Sequence, residues 1–179
     1  MSIEATPGSI YIGKNCKLPV FAEALVHEAD HQRLYEIQRG EHLVKEGSAE
    51  KFCSPWRMDP RPAGGLVFGA SAFIRVSKFW HRLLASGYIE ADHESAGYRS
   101  LFTAAQSLDA LDTTLLSAEL TDFGREYCET LRNEAEMLWR SFQSNPHFDA
   151  WSIKAAREIS EHKHAWATEN DMFEANEQG

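Results

Sequence analysis

Phe21-Ala22-Glu23-Ala24-Leu25-Val26-His27-Glu28-Ala29-Asp30-His31-Gln32-Arg33-Leu34 carries the pattern His-Glu-x-x-His within flanks that read as helix. Residues four apart stack one above the other on a helix, so His27 and His31 can aim two imidazoles at one metal ion. Glu28 follows His27 by about 100° round the helix, which sets it beside a bound metal but not among ligands shared with both histidines. Glu23, His27 and His31 fall in one row, while Leu25, Val26, Leu34 and Ile37 give the helix an apolar side. The bland alternative is a surface helix with two solvated histidines and an acidic neighbour, because such motifs also arise by chance. Pro19 suits a first helical turn and Gly40 can end it, so the helix is predicted from near Pro19 to about Arg39.

The chain around this helix has 179 residues, enough for one domain with a proper core and too few for two comfortable ones. The expected boundaries are a core from 6 to 170 and a polar tail from 171 to 179. No apolar run approaches the ~20 residues of a membrane span, and Met1-Ser2-Ile3-Glu4-Ala5 lacks the basic start and apolar core of a signal peptide. The expected compartment is the cytoplasm. Cys16, Cys53 and Cys128 are widely spaced, in no Cys-x-x-Cys arrangement, and read as free thiols. A formal net charge of −9 argues against nucleic acid or an anionic membrane as the main partner and suits a basic or neutral peptide.

Nearly every long segment has helical rather than alternating periodicity, so the predicted class is mainly α. Ser9-Ile10-Tyr11-Ile12 is a short β-prone piece, and Glu41 to Lys51 is either a short helix or a loop. Ser54-Pro55-Trp56-Arg57-Met58-Asp59-Pro60-Arg61-Pro62 packs three prolines and two arginines into a proline-rich loop that cannot be helix. After Gly64-Gly65 a buried helix is predicted from Leu66 to Leu84, ended by Gly87. Further helices are predicted from about His93 to Leu116, from an N-cap at Thr121 to Phe142, and from near Asp149 through Trp166.

Three separated signatures then stand in order: Leu25-Val26-His27-Glu28-x-x-His31, Trp56-Arg57-x-Asp59-Pro60-Arg61-Pro62-x-Gly64-Gly65, and His162-x-x-x-Trp166. Together they resemble the His-Glu-x-x-His peptide β-hydroxylases that use iron and 2-oxoglutarate, a family associated with ribosomally made, post-translationally modified peptides. The resemblance runs from about Pro7 to Asn170, and the middle signature is its most specific part. Family members are often longer or fused to other domains, and the arginine-rich ending expected after the tryptophan is here Ala167-Thr168-Glu169-Asn170.

The resemblance implies an Fe(II) held by about three protein ligands, with positions left for 2-oxoglutarate and dioxygen. His27 and His31 supply two ligands and His162 is the expected third, with His164, Glu23 and Glu36 as further candidates. The distal carboxylate of 2-oxoglutarate needs a cation, and a guanidinium can grip it with two parallel hydrogen bonds. Arg61, braced between Pro60 and Pro62, is the first choice and Arg57 the second. Either arginine can instead make a structural ion pair with Asp59. Glu28 is the expected catalytic carboxylate, orienting a ligand or substrate, and Trp56 and Trp166 are candidate site walls. The implied substrate is a peptide, with a partner protein of the same pathway as a further expected contact. Two other functions compete: a zinc peptidase or amidase with Glu28 as general base, and a non-catalytic partner subunit that retains the motif.

Overall fold

The computed structural model of the chain describes residues 18–88 and 93–177. Helix α1 (Leu18–Gln38) leads to a hairpin of two short antiparallel strands, β1 (Lys51–Ser54) and β2 (Arg57–Pro62). Helices α2 (Ala63–Ala85), α3 (His93–Leu116), α4 (Asp122–Ser141) and α5 (Phe148–Glu177) follow. The architecture is mainly α, as the periodicity predicts. The β-prone Ser9–Ile12 piece and Cys16 lie outside the described residues, within which no helix is long and apolar enough to cross a membrane.

The apolar run after Gly65 makes α2 the central element, packed against α1, α3 and α4. Its Val67, Ala70 and Ile74 join Leu34 of α1, Leu111 of α3 and Leu131 of α4 in the main core. Small residues let α2 and α3 approach closely. Ser77 Oγ donates to the Ser100 carbonyl at 2.7 Å and Ser100 Oγ returns a bond to the Ser77 carbonyl at 2.8 Å, so these buried hydroxyls are satisfied. At the other side of α3, Trp151 and Ala155 of α5 pack with Leu101 and Phe142, and the Trp151 ring lies against the bare Cα of Gly97.

One open alternative is decided and three expectations are revised. Residues 41–50 form no helix: Leu43 is fully buried and Val44 bridges to Leu120, which sets the start of α4. There Thr121 caps as predicted, its Oγ1 accepting from the Gly124 amide at 2.9 Å. The proline-rich stretch is half of a hairpin in the register Phe52↔Arg61 and Ser54↔Arg57, because in a two-stranded sheet both strands are edges and proline's missing N–H can face outward. Third, α1 buries Glu23, Glu28, Asp30 and Leu34, while Leu18, Phe21 and Leu25 are exposed, so its first half has no apolar inner side. Finally, α5 continues to Glu177, into the segment expected to be a tail.

Candidate active site

His27 and His31 project from α1 toward α2, where the aromatic rings of Phe73 and Phe68 meet them. The two imidazoles stand edge to face at 4.6 Å between centroids. His27 also meets Phe73 at 4.8 Å, and His31 meets Phe68 at 5.8 Å. Burial among these rings, reinforced by the neighbouring His31, lowers the pKa of His27 to about 4. Burial likewise lowers that of His31, with Glu28 and Asp30 pulling in the opposite direction. Both rings are therefore neutral at pH 7 and keep the lone pair a metal needs.

The pair borders a cavity of about 750 Å³, whose walls include Glu28, Trp56, Arg57 and Arg61. That volume lies within the range typical of small-molecule sites. The hairpin supplies the wall opposite α1. Trp56 stacks on Phe73 at 4.9 Å with 12° between planes, and lies flat against α2 because Gly69 has no side chain: a Cβ there would sit 2.6 Å from Trp56 Cζ3. Gly65, one turn earlier, does the same for Arg61, whose Nε is 3.3 Å from where a Cβ would be.

Arg57 and Arg61 share one carboxylate. Arg57 Nε donates to Asp59 Oδ1 at 2.7 Å and Arg61 Nη1 to Asp59 Oδ2 at 3.1 Å. The bond from Arg57, followed by that from Arg61, holds the Asp59 carboxyl below the usual carboxylate range. Two guanidiniums against one carboxylate leave a net positive charge at this wall, on side chains that are 59% and 38% exposed. The expected ion pair with Asp59 and the expected position at the cavity coexist.

No protein-family model matches the chain, and no curated protein matches it.

The remaining sequence candidates fall elsewhere. His162 does not join the histidine pair: its Nε2 lies 2.7 Å from the Ser54 carbonyl, and among the described residues no group of three or more His, Cys, Asp or Glu is gathered to hold a metal. A carbonyl oxygen only accepts, so this nitrogen carries a proton and offers no lone pair. Glu23, buried, accepts from Trp80 Nε1 at 2.7 Å and from two nitrogens of Arg99. Glu36 pairs with Arg39 at 3.0 Å on the surface, and His164 is exposed. Trp166 is not part of the cavity wall. Burial raises the pKa of Cys53 and pushes that of Cys128 up to about 12, so in the metal-free protein both are thiols at neutral pH.

Phe68 and Phe73 pack against the core clusters and also line the cavity, a second role that helical spacing alone does not reveal. The signal was Gly65 and Gly69, four apart on the helix that carries these rings, marking a face where another segment approaches the backbone.

Does the arrangement fit a metal? His31 Nδ1 is a buried polar atom with no hydrogen-bond partner among the described residues, and both neutral rings line the same cavity. The pair fits two positions of an iron or zinc shell, with Glu28 buried beside it at 8% exposure.

Proposed function

We propose that this cavity is the active site of an iron- and 2-oxoglutarate-dependent dioxygenase that hydroxylates a β carbon of a peptide side chain, in the maturation of a ribosomally made peptide. One observation supports this reading above the others: two neutral imidazoles and two guanidiniums border the same cavity. A dianionic co-substrate that chelates a metal at one end and needs a cation at the other matches that division. His27 and His31 would hold the Fe(II). Arg61, with Arg57, binds the distal carboxylate of 2-oxoglutarate, using the positive charge that Asp59 leaves uncompensated. Fe(II) with 2-oxoglutarate, when bound, would supply the oxidation, in which one oxygen atom of O₂ goes to the substrate C–H bond and the other to succinate as CO₂ leaves. The rings of Trp56, Phe68 and Phe73 give that space an apolar lining. Glu28 orients a bound water or the substrate from beside His27.

The test is anaerobic addition of 2-oxoglutarate to Fe(II)-loaded protein. A new metal-centred absorption band and, with a peptide substrate and O₂, succinate formed in step with hydroxylation are expected. Iron-loaded protein that neither binds 2-oxoglutarate nor changes its spectrum overturns the proposal.

The burial of Glu28 at the same wall also suits a zinc peptidase or amidase, in which this carboxylate takes the proton of a metal-bound water. Stoichiometric zinc in protein purified without chelator, with amide hydrolysis lost in Glu28→Gln, favours that chemistry instead.

A further inference from the structure

The turn that carries Trp56 and Arg57 into the cavity wall is tied from outside the hairpin at two successive carbonyls. His162 of α5 donates through Nε2 to the Ser54 carbonyl at 2.7 Å, and Gln106 of α3 donates through Nε2 to the Pro55 carbonyl at 2.8 Å. Further along α5, Asn170 Nδ2 donates to the Met58 carbonyl at 3.3 Å. Lys163, next to His162, pairs with Asp109 of α3, so the two helices that supply these donors are themselves linked.

The hairpin needs such ties. Its strands have four and six residues, with an irregularity in pairing between Phe52 and Ser54, and an isolated two-stranded sheet of this size is marginal in water. Its inner face rests on the bare Cα atoms of Gly65 and Gly69, which permit close approach but do not fix it. Hydrogen bonds to the turn carbonyls supply the direction that van der Waals contact lacks.

We infer that His162 is a positioning residue that, together with Gln106, latches the Ser54–Arg57 turn so that Trp56 and Arg57 stay at the cavity wall facing His27 and His31. The latch acts on the peptide backbone of the hairpin, and its consequence for co-substrate rests on the function proposed above. It also accounts for a histidine at this place in the chain without making it a metal ligand. A ring nitrogen at the end of a medium-length side chain reaches a turn carbonyl from the facing helix.

The experiment compares His162→Ala, His162→Gln and Gln106→Ala with His27→Ala as the ligand control. Three quantities are read: Co(II) affinity by visible absorption, hydrogen exchange of residues 51–62 by mass spectrometry, and 2-oxoglutarate affinity of the metal-loaded protein. His162→Ala is expected to leave Co(II) affinity within about two-fold of wild type, since no ligand is lost. Exchange in the hairpin should rise and 2-oxoglutarate affinity fall, each by about three- to ten-fold, the value of one protein hydrogen bond. His162→Gln, whose amide can still donate to Ser54, should recover most of both. If His162→Ala fails to fold, Gln106→Ala carries the same test and should speed exchange of the same segment.

A fall in Co(II) affinity matching that of His27→Ala makes His162 a ligand and overturns the inference. So does hairpin exchange unmoved in His162→Ala, or unmoved in Gln106→Ala where that variant stands in. If wild-type protein binds neither Co(II) nor 2-oxoglutarate, the oxygenase proposal fails, while the exchange measurements still decide the latch.

Discussion

Replacing Glu23 separates a structural carboxylate from a metal-binding one. Glu23 is 8% exposed and takes three bonds, from Trp80 Nε1 and from Nε and Nη2 of Arg99. In Glu23→Ala the Trp80 indole N–H is left without an acceptor in a buried place, at a cost of about 2 kcal/mol. The Arg99 side chain is 48% exposed and regains water, so its loss is far smaller than that of a fully buried pair, about 1 kcal/mol. The sum is about 3 kcal/mol. Glu23→Gln keeps one carbonyl oxygen for Trp80 or Arg99 and loses the charge, for about 1.5 kcal/mol. At a urea slope of about 2 kcal/mol/M these correspond to midpoint shifts of about 1.5 and 0.7 M. Urea unfolding followed by tryptophan fluorescence measures the shifts, and a parallel Co(II) titration in the absence of urea is expected to show wild-type affinity. A midpoint that moves by less than about 0.3 M refutes the burial argument, since that is below a single net hydrogen bond. Lost Co(II) affinity with stability intact refutes the assignment of Glu23 to packing.

Gly69→Ala places a methyl 2.6 Å from the Trp56 ring, so the ring must leave its stack on Phe73. A loss of about 1–3 kcal/mol in urea stability and a changed tryptophan emission are expected. Arg61→Ala should weaken 2-oxoglutarate binding by about ten- to a hundred-fold, the range of a charge-assisted bond, with Co(II) affinity retained. Asp59→Asn removes the negative charge both guanidiniums share, leaving a single carbonyl acceptor, and should tighten it by a few-fold; calorimetry on metal-loaded protein reads both. Metal-free protein should lose stability as pH falls from about 6.5 toward 4. The folded pKa of His27 is lowered from 6.5 to about 4, so across that window the unfolded chain binds the proton more readily, and the contribution is complete only above 6.5. His27→Gln should flatten this part of the profile of urea midpoint against pH.

The helices were legible in the sequence because each carries its own local signal. Thr121 three residues before Gly124, Gly87 after the Leu83–Leu84 pair, and the Leu101–Leu111 spacing name their elements without tertiary information. His27, His31, Trp56, Arg57 and Arg61, which border one cavity, all lie in two short motifs, although no local rule gives their distances. The hairpin was hidden because prolines argue against strand everywhere except at an edge, and edge status depends on the number of strands that pair. The role of His162 was hidden for a different reason. A histidine that ligates and one that donates to a carbonyl look alike in sequence, and the Ser54 carbonyl lies 108 positions away.

The low amphipathicity of α1 has a physical consequence for the site. Glu23 and Asp30, seven residues apart, lie on one side of the helix and flank His27. Glu23 is fixed by Trp80 and Arg99. Asp30 accepts from Ser71 Oγ at 2.5 Å and from Arg33 Nε at 2.8 Å, with Arg75 Nε at 3.5 Å and Tyr127 bonded in turn to Arg33. Apolar side chains on a helix repack at small cost when the helix slides or turns. Hydrogen-bonded carboxylates do not, because a shift of a fraction of an ångström breaks several directional bonds in a dry interior. Two such anchors, one on each side of His27, set both the rotation and the axial position of α1 against α2, and with them the aim of the imidazoles at Phe73 and Phe68. The same choice leaves Leu18, Phe21 and Leu25 facing outward. A pattern that looks like poor core design at the level of the single helix is the arrangement that holds the histidine pair in register with the hairpin wall.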